Sequence, residues 1–140
     1  MPGRPETPPV AADLIIALPA GIVLIERANY PYGWALPGGF VDIGEPVPEA
    51  ARREAREETG LVVSLQGLLG CYSAPDRDPR GHCVSLVYVA TASGEPVGGD
   101  DARHAAIHPL DRLPALAFDH ALILDDYVRF YLCGLPVPCR

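Results

Sequence analysis

Apolar and polar positions divide the chain into short regular segments. Leu14–Leu18 and Ile22–Ile25 are apolar runs of strand length on either side of Pro19-Ala20-Gly21, a pattern that predicts two strands around a turn. Asn29-Tyr30-Pro31-Tyr32-Gly33 breaks the pattern, and Gly38-Gly39 and then Gly44 through Pro48 punctuate the stretch before the next regular segment. That segment, rich in alanine and charge and ending at Thr59-Gly60, predicts a helix: Pro46 and Pro48 suit a first turn, and Gly60 suits a left-handed C-terminal residue. Val62–Leu69 and Val84–Ala90 predict strands joined by the polar loop 73–82, which is long enough to line a site. A second loop, Gly94 to Asp101, leads to a short strand near Ala105–His108. Phe118 to Leu132 predicts a closing helix whose apolar character comes from Leu122, Leu124, Val128 and Tyr131. No internal repeat interrupts this order.

The size of the chain sharpens this outline. Its 140 residues, 49% of them hydrophobic, suit a single core, so residues 10–140 are expected to form one domain behind a flexible segment, residues 1–9, that holds four of the 16 prolines. No run approaches the roughly 20 apolar residues of a membrane span, and Met1–Pro9 lacks the basic start and apolar stretch of a signal peptide, so a cytoplasmic protein without membrane contact is expected. The four cysteines match no zinc spacing and are too few for a disulfide scaffold; reduced thiols are expected. A net charge of -7 opposes duplex nucleic acid as a partner. It also opposes a phosphate-bearing ligand, unless the acids cluster to hold cations that reverse the local field.

That clustering lies in the helix. Glu54, Glu57 and Glu58 stand at i, i+3 and i+4, which puts three carboxylates on one face about a turn apart. They repel one another, and two of them occupy the last turn, where the helix dipole favours cations. A bound divalent cation removes both penalties. The plainer alternative is a solvated face offset by Arg52, Arg53 and Arg56. Against it stand the two preceding glycines and Ala50, Ala51 and Ala55, small residues that let the opposite face approach a sheet closely.

From Gly39 to Leu61 the chain reads GFVDIGEPVPEAARREAREETGL, which resembles the Nudix box GX5EX7REUXEEXGU, with U an apolar residue. Every fixed letter is present; Ala55 stands where a larger aliphatic residue is commoner. The resemblance implies an α/β fold, an α/β/α sandwich around a mixed sheet, with the Glu54 helix on one face and the last helix, Asp119 to Leu132, on the other. It implies a hydrolase that cleaves a nucleoside diphosphate linked to a further group X with Mg2+, or Mn2+, as cofactor. Glu57 and Glu58 would be metal ligands, and Glu54 either a further ligand or the base that deprotonates the attacking water. The carbonyl of Gly38 would also face a metal. Arg53 and Glu45 match positions that resemble an internal ion pair orienting the glutamate face. In some relatives the base comes from a loop outside the box, which here would be Glu95, Asp100 or Asp101; a solvated loop acid is the plainer reading of each.

Substrate choice rests on the surrounding loops. Tyr72-Ser73-Ala74-Pro75 and the residues after it resemble the loop after the box in bacterial and archaeal ADP-ribose pyrophosphatases, although Asp76 departs from the stricter Ser-X-Pro-Gly form. The leading expectation is therefore hydrolysis of ADP-ribose to AMP and ribose 5-phosphate. Alternatives are a pyrophosphatase of nucleoside triphosphates, including oxidised ones, and a non-catalytic nucleotide sensor. Pro75, Arg77, Arg80, His82 and Arg27 are candidate substrate contacts. Trp34, beside Tyr30 and Tyr32, is a candidate for stacking on a base, with core packing as its alternative. Asp119-His120 reads as an N-cap aspartate beside a surface histidine. Leu132 to Pro138 is compatible with a homodimer contact.

Overall fold

The computed structural model describes residues 3–99 and 102–140. In chain order its elements are β1 (Val10–Leu18), β2 (Gly21–Arg27), β3 (Gly33–Ala35), β4 (Gly38–Phe40), α1 (Val47–Thr59), β5 (Ser64–Tyr72), β6 (Val84–Thr91), β7 (Ala102–His108) and α2 (His120–Asp126). A π-helical turn, Tyr127–Tyr131, continues α2, so the closing helix changes winding where an uninterrupted α-helix is expected. The described strands form one mixed sheet in the order β3-β2-β1-β6-β5, with β4 beside β1 and β7 beside β2. β1 runs parallel to β6 from Val10↔Val84 to Ala17↔Thr91, and the remaining pairs are antiparallel.

β1 explains why its sequence is apolar without alternation: both of its faces are covered. Leu14 and Ile16 join Ala50, Ala51 and Ala55 of α1 in one cluster, whereas Ile15 joins Ile123, Leu124 and Tyr127 in another on the opposite face. The sandwich expected from the resemblance is thus present, with α1 and α2 on opposite faces of the sheet. All three α1 alanines are fully buried, so the helix axis can lie close to the sheet. Pro46 caps α1 in an extended conformation, and Gly60 ends it at φ 72 with its N–H donating to the Arg56 carbonyl. Val62 and Val63 stay outside β5, and Val63 is drawn instead into the α1 cluster. No helix among the described residues is long and apolar enough to cross a membrane.

The short strand β4 matters most for function. It lies against β1 in the register Ala11↔Phe40, Ala12↔Gly39 and Asp13↔Gly38, and it also packs on α1. Its two glycines therefore sit between an acid of β1 and the acids of the helix.

Candidate active site

Gly38 donates its backbone N–H to Glu58 Oε1 at 2.7 Å. A Cβ on Gly39 would stand 2.5 Å from Glu54 Cδ, so this glycine is what admits the Glu54 carboxylate to the strand. Gly39→Ala is expected to push that carboxylate aside. A displacement of this order at a reacting centre costs about 100-fold in rate, while the flexible glutamate gives way and stability changes by less than about 1 kcal/mol. Steady-state kinetics together with a thermal melt check both halves.

Arg53 organises the acidic face. Its Nε and Nη2 donate to both Glu45 oxygens at 2.7 and 2.9 Å, its Nη1 to Glu54 at 2.8 Å and Glu57 at 3.2 Å, and its Nη2 also to the Phe40 carbonyl at 3.1 Å. The hydrogen bonds from Arg53, with a further one from the Asp42 backbone N–H, hold the Glu45 carboxyl down to about 2. Glu58 behaves oppositely: burial, reinforced by the charges of Glu54 and Asp13, raises it to about 8 against the Gly38 hydrogen bond. Asp13 is itself raised to about 6 by burial, although Ser85 donates to it. Asp13 lies outside the box, and its only signal in the sequence is an acid inside the apolar run Ala11-Ala12-Asp13-Leu14.

The donors suit a hard divalent cation, being carboxylate oxygens whose mutual repulsion already lifts Glu58. No three acidic, histidine or cysteine side chains among the described residues already converge on one point. The reason is visible: Arg53 draws Glu54 and Glu57 to its guanidinium, while Glu58 is turned to the Gly38 amide. Cation binding would have to compete with Arg53 for those oxygens.

Glu54, Glu58, Gly38, Gly39 and Arg53 line a groove of about 310 Å3 together with Arg27 and Arg80. Arg27, at the end of β2, donates through Nε to the Pro31 carbonyl at 2.6 Å and lies 5.0 Å from the Phe118 ring centre. Arg80 is anchored to buried Asp78 by two side-chain hydrogen bonds of 3.1 and 2.9 Å. Both guanidiniums thus border the acidic groove.

The remaining candidates do not line this groove, although Arg77 borders an adjoining pocket with Asp13, Gly38 and Gly39, and His82 one with Phe40 and Arg80. Arg77 is 7% exposed and pairs with Asp119 at 3.0 and 2.7 Å, so its charge is spent inside the protein. Trp34 packs against the α2-side core and meets the His108 ring edge-on at 4.7 Å, which realises core packing in place of base stacking. Pro75 sits in an exposed turn closed by Arg77 N–H to the Ala74 carbonyl, and it does not line the groove. His82 is exposed and contacts the Ser73 carbonyl through Nε2 at 3.0 Å. Glu95 borders a separate depression with Pro19, Ala20 and Ile107, and Asp100 and Asp101 lie outside the described residues.

Asp119 occupies the N-cap of α2 as expected, but the rest of the Asp119-His120 reading needs correction. Asp119 makes no capping bond, because its carboxylate is taken by Arg77. His120 is buried and accepts the Leu36 N–H at Nδ1; burial, with the nearby charges of Arg77 and Arg27, pushes it down to about 3, so it is neutral and structural. Two aromatic residues that no motif singles out, Phe40 and Phe118, also stand at the site. Phe118 has φ 56, a left-handed backbone that no sequence pattern announces.

Comparison with known proteins agrees with this geometry. The NUDIX domain model matches residues 7–127. An ADP-ribose pyrophosphatase of Methanocaldococcus jannaschii is 52% identical over 126 residues, 88% of this chain and 75% of that protein. A MutT NUDIX hydrolase structure from Burkholderia pseudomallei is 36% identical at a TM-score of 0.76, covering 86% of this chain and 98% of its own. A NUDIX hydrolase from Nitrosomonas europaea, 24% identical, shares the fold at a TM-score of 0.83 over 96% of this chain and 77% of its own.

Proposed function

Because the chain belongs to the NUDIX domain family, we propose that it hydrolyses ADP-ribose to AMP and ribose 5-phosphate by attack of water on the diphosphate bridge. The observation that carries this reading is the shared groove: Glu54 and Glu58 line the same cleft as Arg27, Arg53 and Arg80, so acids for a cation and cations for phosphates face one volume. The choice of ADP-ribose is supported by the identity to the Methanocaldococcus jannaschii enzyme over most of both chains.

In this reading Mg2+, with Mn2+ able to replace it, neutralises phosphate charge and acidifies water when bound. Glu57, Glu58 and Glu54 are the side chains to hold it, with the Gly38 carbonyl beside them. Glu54, seated on Gly39, orients water or accepts its proton. Arg53, fixed by Glu45, sets the direction of the Glu54 and Glu57 carboxylates. Arg27 and Arg80 receive the phosphates. The enzyme is taken to act in the cytoplasm, and two copies can pair through the exposed Leu132 and Leu135.

A panel of ADP-ribose, sugar nucleotides, dinucleoside polyphosphates and nucleoside triphosphates, assayed with Mg2+ or Mn2+, tests the substrate. ADP-ribose is expected to turn over fastest, and its turnover to disappear in a Glu57→Gln, Glu58→Gln double variant. Preference for triphosphates would move the chain to the nucleotide-pool alternative. No turnover of any compound by folded, metal-supplied protein would overturn the hydrolase reading.

A further inference from the structure

Phe40 and Phe118 come from distant parts of the chain, β4 and the segment just before α2, yet they share one partner. The Arg80 guanidinium lies 5.8 Å from the Phe40 ring centre and 5.5 Å from that of Phe118. A flat cation over two aromatic rings occupies the kind of place that a flat π-system takes by stacking. Phe40 and Arg80 also border the acidic groove, so whatever lies on these rings adjoins the site of the diphosphate.

The backbone adds a second, independent observation. Phe118 is the only described non-glycine residue with positive φ, and an aromatic residue there is strained. Such strain persists when the surroundings fix it. Here Asp119, next in the chain, is held by buried Arg77, His120 accepts the Leu36 N–H, and the Phe118 side chain packs against the cluster of Ile25, Ala35 and Ala102. The ring is therefore a rigid platform. Phe40 stays 44% exposed beside Glu54 and Glu58 in the groove. Both rings and Arg80 line one pocket, which continues to Gly38 and Gly39 of β4.

We propose that Phe40 and Phe118 form the stacking subsite for the aromatic base of the nucleotide substrate, beside the Arg80 guanidinium that Asp78 holds. This deepens the hydrolase reading and rests on it for the neighbouring phosphates. The subsite explains how a cleft built for diphosphate selects nucleotides over other diphosphates.

Equilibrium binding of AMP and of ribose 5-phosphate to wild type, Phe40→Leu and Phe118→Leu, followed by calorimetry, tests it without relying on turnover. Leucine keeps apolar bulk and removes the π-face. AMP affinity is expected to fall by about tenfold or more in each variant, with ribose 5-phosphate unchanged. Unaltered AMP binding in Phe40→Leu, an equal loss for both ligands, or no AMP binding by wild type would each overturn the proposal. Phe40 lies at the surface, so its variant decides the matter if Phe118→Leu fails to fold. Wild type that binds AMP through these rings but cleaves no ADP-ribose would keep the subsite and sink the substrate reading.

Discussion

Exchanging Glu58 for glutamine is expected to lower kcat/KM on the diphosphate substrate by on the order of 1000-fold, because loss of a cation ligand forfeits several kcal/mol of transition-state stabilisation. The fold should not suffer. Glutamine keeps an oxygen to accept the Gly38 N–H, and its size matches the protonated glutamic acid. The sign of the pH dependence comes from the raised acid. With a folded value of about 8, the native chain holds this proton more tightly than the unfolded chain does. Without cation, the wild type therefore loses stability as pH rises from the ordinary glutamate range through 8, a loss that a neutral glutamine does not share. The variant should melt at the same or a higher temperature than wild type at pH 8 without metal, and the two should converge near pH 4. Thermal melts across that range, set beside kinetics with Mn2+ or Mg2+, check the result. A variant that loses activity and stability together would make Glu58 a structural acid.

This separation of activity from stability also marks where the sequence is informative. Helix geometry alone places Glu54, Glu57 and Glu58 on one face, whereas the Arg53–Glu45 pair is expected only from the resemblance to the Nudix box; it forms between the first turns of α1 and the residue before its N-cap. β1 is legible in the apolar run Leu14–Leu18, and Gly60 in its place after a helical pattern. Phe118 is not legible. Its importance lies in a backbone angle and in neighbours from β2, β3 and the 73–82 loop, none of which leaves a periodic trace. Trp34 and His120 are ambiguous for a related reason: an aromatic or histidine residue reads alike in a site and in a core, and only tertiary packing decides between them.

Arg77 is the clearest case of that ambiguity, and its variant should be strongly destabilising. A loop arginine near a phosphate site reads as a ligand contact, but its partner stands 42 residues away in Asp119. With 3% of its side chain exposed, Arg77 also donates to Cys83 Sγ at 3.1 Å. Burial works against its charge, and Asp119 more than compensates, so the guanidinium stays protonated. Arg77→Met leaves the Asp119 carboxylate mostly enclosed and unpaired, which costs ~3–5 kcal/mol. Arg77→Met combined with Asp119→Leu removes the stranded charge and should regain most of that loss, since apolar replacement of a whole buried pair is often neutral. Urea denaturation of the parent, both single variants and the double measures the coupling. If Arg77→Met were as stable as the parent and raised only KM, the arginine would belong to the substrate after all. If the double variant recovers stability yet binds AMP weakly, the pair's contribution to function is to hold Phe118 in its strained place.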